Sequence, residues 1–239
     1  MGAEQWINEI RPIDRSIGAT ASDLPSLNRV LKQIENTKAK KMIDLGCGYG
    51  GLTRYVAEYL NIPEIYGVDL DDDRLSYARS RGVDTYRLDL NRDSLPFPDG
   101  FFDLIVSFGA LEHLVYFDNF FSESFRVLTK DGHIIIAMPN LGSYVNRIAL
   151  LLGYQPRDVE ISFKFPPGIL PFHARGFTGH IHSATLGAIK QMLKYYGFDI
   201  TKVSSLSPYH SNKLVRVADK TFSFSPSLSR RFIILGKKP

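Results

Sequence analysis

The chain has 239 residues, 44% apolar and 23% charged, which is enough for one α/β domain with added elements and a full core. Its one cysteine, Cys47, excludes an internal disulfide, and the absence of a signal-peptide pattern makes the cytoplasm the expected location. No apolar run approaches the ~20 residues of a membrane span. The net charge of +4 hides an asymmetry: residues 1–140 carry 15 Lys+Arg against 21 Asp+Glu, whereas residues 141–239 carry 14 against 4. A basic second half suits an anionic substrate, an acidic lipid surface or a nucleic acid, and the plain alternative is a solvated lysine-rich face.

Residues 1–37 read as an N-terminal helical cap. Ser22 or Asp23 can cap a helix whose first turn holds Pro25, and Leu27, Val30, Leu31 and Ile34 recur at helical spacing. That single apolar stripe must cover the sheet edge or a ligand pocket, and Trp6, Ile7 and Ile10 are placed to fold over the site. Residues 38–139 then alternate strand and helix. The first strand, Met42 to Leu45, stops at Gly46, Gly48, Gly50 and Gly51, after which Leu52, Val56, Ala57 and Leu60 mark a helix. Further strands are expected at residues 64–70, 83–90, 101–107 and 133–138, with helices through Arg79 and over residues 119–128, Gly82 as a helix stop and an Asp131-Gly132 turn. Near-continuous apolar strands of this kind build a doubly wound, mostly parallel sheet.

From Asn140 to His182 the rhythm breaks. A short apolar helix, Tyr144 to Leu152, leads into a Pro/Gly/aromatic stretch, and long segments of this sort are lids or binding segments. Tyr154, Phe163, Phe165, Phe172 and Phe177 suit a ring-bearing or apolar acceptor, while Arg147, Arg157, Lys164 and Arg175 suit an anion. Residues 183–239 complete the sheet with a helix through Leu186, Ile189 and Leu193, a strand at Phe198 to Val203, and a last strand at Arg231 to Leu235.

The chemistry belongs at the carboxyl ends of the strands, where ligands bind in open parallel sheets. Glycine tolerates positive φ and lets a ligand lie against the backbone at a helix N-terminus. Gly46, Gly48 and Gly51 satisfy the G-x-G-x-x-G spacing of dinucleotide binders, and Asp44 with Gly46, Gly48 and Gly50 satisfies D-x-G-x-G-x-G. The acid tilts the choice, because a carboxylate in that strand suits a cationic aminoacyl end and repels a pyrophosphate. Asp69, 19 positions after Gly50, is spaced to accept from ribose hydroxyls or, alternatively, to cap the next helix. Asp89 is placed for an adenine amino group with the backbone at Leu90 on the ring, or else is a turn residue before Asn91. The fourth strand ends at Ser107, beside Phe108 and Gly109. His113, soon after it, is the best general-base candidate, since an imidazole titrates near neutral pH; the competing role is packing beneath the site.

Asp44-Leu-Gly-Cys-Gly-Tyr-Gly50, Tyr66-Gly-Val-Asp69, Asp89 followed by Leu95 to Asp103, Leu111-Glu-His113 and Phe125 to Gly132 together resemble the successive motifs of class I S-adenosylmethionine (SAM) methyltransferases. The small-molecule group that includes ubiquinone-biosynthesis O-methyltransferases is similar. Gly179 to Thr185 and Gly197-Phe198 resemble the closing segments of many bacterial and archaeal members. The resemblance implies a seven-stranded Rossmann-like sheet whose last strand inserts antiparallel beside the fifth. It also implies that Asp44, Gly46, Cys47, Gly48 and Gly50 hold the aminoacyl end of SAM, Asp69 and Leu70 the ribose, Asp89 and Leu90 the adenine, and that Ser107 borders the cofactor.

The resulting expectation is in-line transfer of a methyl group to a small-molecule, lipid-linked or sugar-linked acceptor, leaving S-adenosylhomocysteine. An NAD(P)-dependent oxidoreductase and a non-catalytic SAM-binding regulator are the alternatives. Nucleic acid is not the expected acceptor, because Pro139 and Asn140 stand in the wrong order for a base-amine motif. No metal is expected either. The related metal-dependent enzymes carry an acid three positions before the Glu of Glu-His, where this chain has Gly109, and His180 and His182 are read as lining the lid or facing solvent.

Overall fold

The structure, a computed structural model, describes residues 24–162, 164–169, 179–206 and 213–239, together with Gln5 and Asn8. The expectations for Trp6, Ile7, Ile10, Ser22, Asp23, Phe163, Phe172, Arg175 and Phe177 lie outside the described residues.

Seven strands form one sheet: β1 (Lys41–Leu45), β2 (Glu64–Asp69), β3 (Asp84–Arg87), β4 (Phe102–Phe108), β5 (Leu128–Pro139), β6 (Asp199–Leu206) and β7 (Arg231–Lys237). Their spatial order is β3-β2-β1-β4-β5-β7-β6. The pairs from β3 to β5 are parallel, and β7 runs antiparallel between β5 and β6, with His133 opposite Lys237 and Pro139 opposite Arg231. The expected antiparallel insertion is therefore present. The helices are α1 (Leu24–Leu31), α2 (Gly51–Leu60), α3 (Asp72–Ser80), α4 (Asp118–Val127), α5 (Tyr144–Leu151), α6 (Leu186–Tyr195) and α7 (Lys213–Phe222).

Strand alternation sorts the core onto two faces. In β7, Ile233 and Leu235 pack with α1, α2 and Ala78 of α3, while Phe232 and Ile234 pack with Phe120 and Phe121 of α4 and Ile189 and Leu193 of α6. The stripe of α1, Leu27, Val30 and Leu31, packs near Leu206 of β6, the strand at the sheet edge, which is the first of the two positions its pattern allows. Asn28 of α1 accepts from the Tyr55 hydroxyl of α2 at 2.7 Å.

β6 and β7 run on to Leu206 and Lys237, past the expected Val203 and Leu235, and the bounds of β3 and β5 move as well. β3 stops at Arg87 because the Asp89 N–H leaves the ladder for the Asp93 carboxylate, at 2.7 Å. β5 begins at Leu128 and runs through the expected Asp131-Gly132 turn. There Asp131 takes φ 62°, its N–H donates to the Lys238 carbonyl, and the β4–β5 register shifts between Phe102 and Leu104. At the other end of β5, buried Asn140 donates to the carbonyls of Pro226, Ser227 and Ser229 and accepts from Gly142 N–H. That residue fixes where α5 starts, directly beyond the carboxyl edge of the sheet, with Ser143 as its N-cap.

Candidate active site

The turn after β1 is held by backbone and by β2. The N–H groups of Gly46 and Cys47 both donate to the Val68 carbonyl, at 2.8 and 2.9 Å. Gly46, Gly48 and Gly50 have φ of 93°, 52° and 78°, the left-handed region that favours glycine. At Gly46 space is a second constraint, since a Cβ would fall 2.4 Å from the Ala110 Cβ beyond β4. At Gly67 a Cβ would fall 2.7 Å from the Cys47 sulfur, so the bare backbone of β2 seats that thiol. Burial, reinforced by the Asp44 and Asp69 carboxylates, pushes the Cys47 thiol well above its ordinary range, and it packs rather than reacts. Among the described residues no side chain caps α2, whose first N–H groups are thereby left for an anionic ligand.

Asp44 sits beneath this turn, 2% exposed. Its Oδ2 accepts from the Thr53 hydroxyl at 2.6 Å, whereas its buried Oδ1 has no donor among the described residues. Burial outweighs the Thr53 bond, Asp69 adds like-charge repulsion, and the carboxyl is pushed up to about 7. Thr53 carries no sequence signal for this role; it meets Asp44 only because α2 folds back over β1.

Asp69, at the end of β2, stitches the turn to the strand. Its Oδ2 accepts from Gly48 N–H at 2.9 Å, and its Oδ1 from the N–H groups of Leu70 and Asp71 at 2.8 and 3.1 Å. The helix-capping role falls instead to Asp71, which accepts from Asp73 and Arg74 N–H. Leu70 is exposed at the same edge. Asp89 does form the turn with Asn91, accepting from its N–H and its side-chain amide at 3.0 and 2.8 Å. The Asn91 side-chain bond, then the backbone bond, then Arg92 hold the Asp89 carboxyl below its usual range. Leu90 is buried beside it, its carbonyl taking a bond from Asn119. Ser107 is fully buried, and its hydroxyl donates to the Leu45 carbonyl at 2.7 Å, joining β4 to β1 under the glycine turn.

Beyond β4 a 3-10 turn, Leu111–His113, carries the second half of the site. The Gly179 carbonyl lies 2.9 Å from His113 Nδ1. A carbonyl only accepts, so Nδ1 holds the proton and Nε2 keeps a free lone pair. Ile181 and His182 N–H donate to the Glu112 carbonyl at 2.8 and 3.1 Å, tying the 179–182 strap across the turn. Glu112 is buried, with Oε1 3.8 Å from His180 Nε2. Burial pushes the Glu112 carboxyl up and the His180 imidazole down to about 4. His180 thus faces Glu112 rather than solvent, a pairing across 68 residues that spacing could not reveal.

Residues 43–136 match the family described as Methyltransferase domain. A probable S-adenosylmethionine-dependent methyltransferase of Mycolicibacterium smegmatis is 28% identical over 181 residues, 74% of this chain and 58% of that protein. The fatty-acid O-methyltransferase of the same organism is 29% identical over 133 residues, 51% of this chain and 48% of that protein. Among solved structures, an S-adenosylmethionine-dependent methyltransferase from Mesorhizobium loti superposes with a TM-score of 0.61 at 19% identity, over 91% of this chain and 98% of that one. These likenesses support a class I SAM-dependent methyltransferase. SAM is the cofactor of this family, and the strand order found here is the sheet its motifs implied. The chain spans 48% and 58% of the lengths of the two curated relatives.

Glu112, His113 and His180 place ligand-type atoms within 4.8 Å of one another. His113 Nδ1 is already engaged by Gly179, and Gly109, at φ 79°, has only 3.2 Å between a built Cβ and Glu112 Oε1. An acid at position 109 would need the left-handed backbone that glycine tolerates and would crowd Glu112. Treatment with EDTA is therefore expected to leave methyl transfer intact; loss of transfer that magnesium restores would give the three residues a divalent ion instead.

Proposed function

We propose that this protein moves the methyl group of SAM to a small-molecule, lipid-linked or sugar-linked acceptor bound under the 140–182 segment. The observation that carries the reading is Asp44 Oδ1, a buried acceptor with no donor among the described residues, next to a helix start with no cap. A cation and an anion held side by side answer both, which is the character of a zwitterionic aminoacyl end. Asp44 takes the ammonium, and the backbone of Gly46, Cys47, Gly48 and Gly50 with the first turn of α2 takes the carboxylate. Asp69 and Leu70 hold the ribose and cover its edge. Asp69 keeps little spare capacity, since three N–H groups use most of a carboxylate's roughly four lone-pair sites. Asp89 and Leu90 border the adenine, and Ser107 acts by fixing β4 against β1.

When bound, SAM supplies a methyl carbon made electrophilic by its sulfonium. The chain then has to align the acceptor and, for a hydroxyl acceptor, remove a proton. His113 Nε2 is the base, with its tautomer set by the Gly179 carbonyl. The exposed aromatic and aliphatic residues of the 140–169 stretch, together with a fatty-acid O-methyltransferase among the relatives, favour an apolar or lipid-linked acceptor. Arg147, whose Nε donates to the Gly142 carbonyl at 2.7 Å, stands at the start of that segment for an anionic group.

Three outcomes follow from these roles. Binding of the ammonium favours ionised Asp44, so S-adenosylhomocysteine affinity should fall as pH drops through about 7, approaching tenfold per pH unit, and stay level above it. Asp44→Asn should bind more weakly with no such slope, and a wild-type profile that is flat by calorimetry would remove Asp44 from the ligand. Methyl-labelled SAM incubated with the protein and a cell extract should label the lipid, glycan or small-metabolite fraction. Label in nucleic acid would redirect the acceptor, and cofactor binding with no label in any fraction would favour a non-catalytic SAM binder. With the labelled acceptor in hand, His113→Ala should lower kcat about 100-fold at unchanged cofactor affinity; an unchanged kcat would leave His113 as a packing residue.

A further inference from the structure

Helix α5 is apolar on both sides. Tyr144, Val145 and Ala149 are buried, yet Ile148, Leu150, Leu151 and Leu152 are exposed, Leu151 at 84%. Helix α7 lies beside it, with Tyr144 and Phe222 stacked at 4.4 Å between ring centroids. Val217 is exposed on α7, and Phe224, just past its end, is 78% exposed. Large apolar side chains in water on two neighbouring elements are costly unless something covers them.

The charges around these side chains say what covers them. Arg147 on α5 and Arg216 and Lys220 on α7 occupy exposed positions. Neither helix presents an exposed acid: α5 contains none, and the single acid of α7, Asp219, is buried, with Arg230 Nε at 2.5 Å and the Tyr144 hydroxyl at 2.8 Å. A second copy of the same face would set like charge on like charge, and a nucleic acid would leave the leucines unburied. An anionic bilayer surface satisfies both features, phosphates for the cations and the acyl boundary for the apolar side chains. The described helices include none long and apolar enough to cross a membrane, so contact with the bilayer here means lying on it.

We propose that the exposed faces of α5 and α7 form a docking surface for an anionic lipid bilayer. Because α5 starts just past the carboxyl end of β5, docking sets the rim of the active site at the lipid interface. The surface does not depend on which acceptor is methylated, and cofactor binding reports separately on the site.

The test is co-sedimentation of the full chain with vesicles of phosphatidylcholine alone or with about one third phosphatidylglycerol, at low and raised salt. Binding is expected to the anionic vesicles, weakened by salt and about tenfold weaker to phosphatidylcholine. Leu151→Glu and Lys220→Glu should each weaken binding about fivefold or more, with S-adenosylhomocysteine affinity unchanged because neither residue touches the cofactor turn. Equal binding to both vesicle types, binding to neither, or binding indifferent to both substitutions would overturn the proposal. So would a concentration-dependent dimer that Leu151→Glu dissociates without vesicles, which would assign the face to a second copy.

Discussion

The site depends on one short contact, the Asp69 carboxylate on the Gly48 N–H. It fastens a turn that has left the β1 ladder to the end of the neighbouring strand, and with Gly46 and Cys47 bonded to the Val68 carbonyl it makes the turn a rigid extension of β2. Ala110 closes the same turn from the β4 side, at a distance only glycine permits. Three strands that meet nowhere in sequence thereby share one edge. The start of α2, the buried Asp44 and the 3-10 turn carrying His113 are placed by that junction.

Electrostatics follow from the same packing. Asp44 is an acid in a dry place, relieved on one oxygen by Thr53 and opposed by Asp69 nearby. Such a group costs stability when ionised and unpaired, which is tolerable where a cationic ligand completes it. Glu112 and half-buried His180 are both pushed toward their neutral forms, beside the strap that the Ile181 and His182 N–H groups tie to the Glu112 carbonyl and whose Gly179 carbonyl orients His113.

Much of this was legible beforehand because it is local. The glycine spacing, the acids at successive strand ends and the helix stop at Gly82 all act within a few residues of where they are written. Strand alternation also placed β7 correctly as an apolar strand, although its antiparallel insertion came from resemblance and not from periodicity. What spacing could not carry was long-range. Thr53 on Asp44, His180 on Glu112 and Gly179 on His113 are meetings between elements, set by how helices and straps return over the sheet. Asp69 and Asp89 are half legible: the sequence allows a ligand role or a helix cap for the first and a ligand role or a turn for the second, and the cap falls to Asp71 while Asp89 does form its turn with Asn91. Asp131 misled because Asp-Gly usually ends an element, whereas here Lys237 and Lys238 hold it inside a continuous strand.

The most direct measurement is a calorimetric titration of the protein with S-adenosylhomocysteine and, in parallel, with NAD. The junction of Asp44, the glycine turn and α2 predicts binding of the first and none of the second, since Asp44 would repel a pyrophosphate where it welcomes an ammonium. Binding of NAD, with S-adenosylhomocysteine failing to bind or to displace it, would contradict the account.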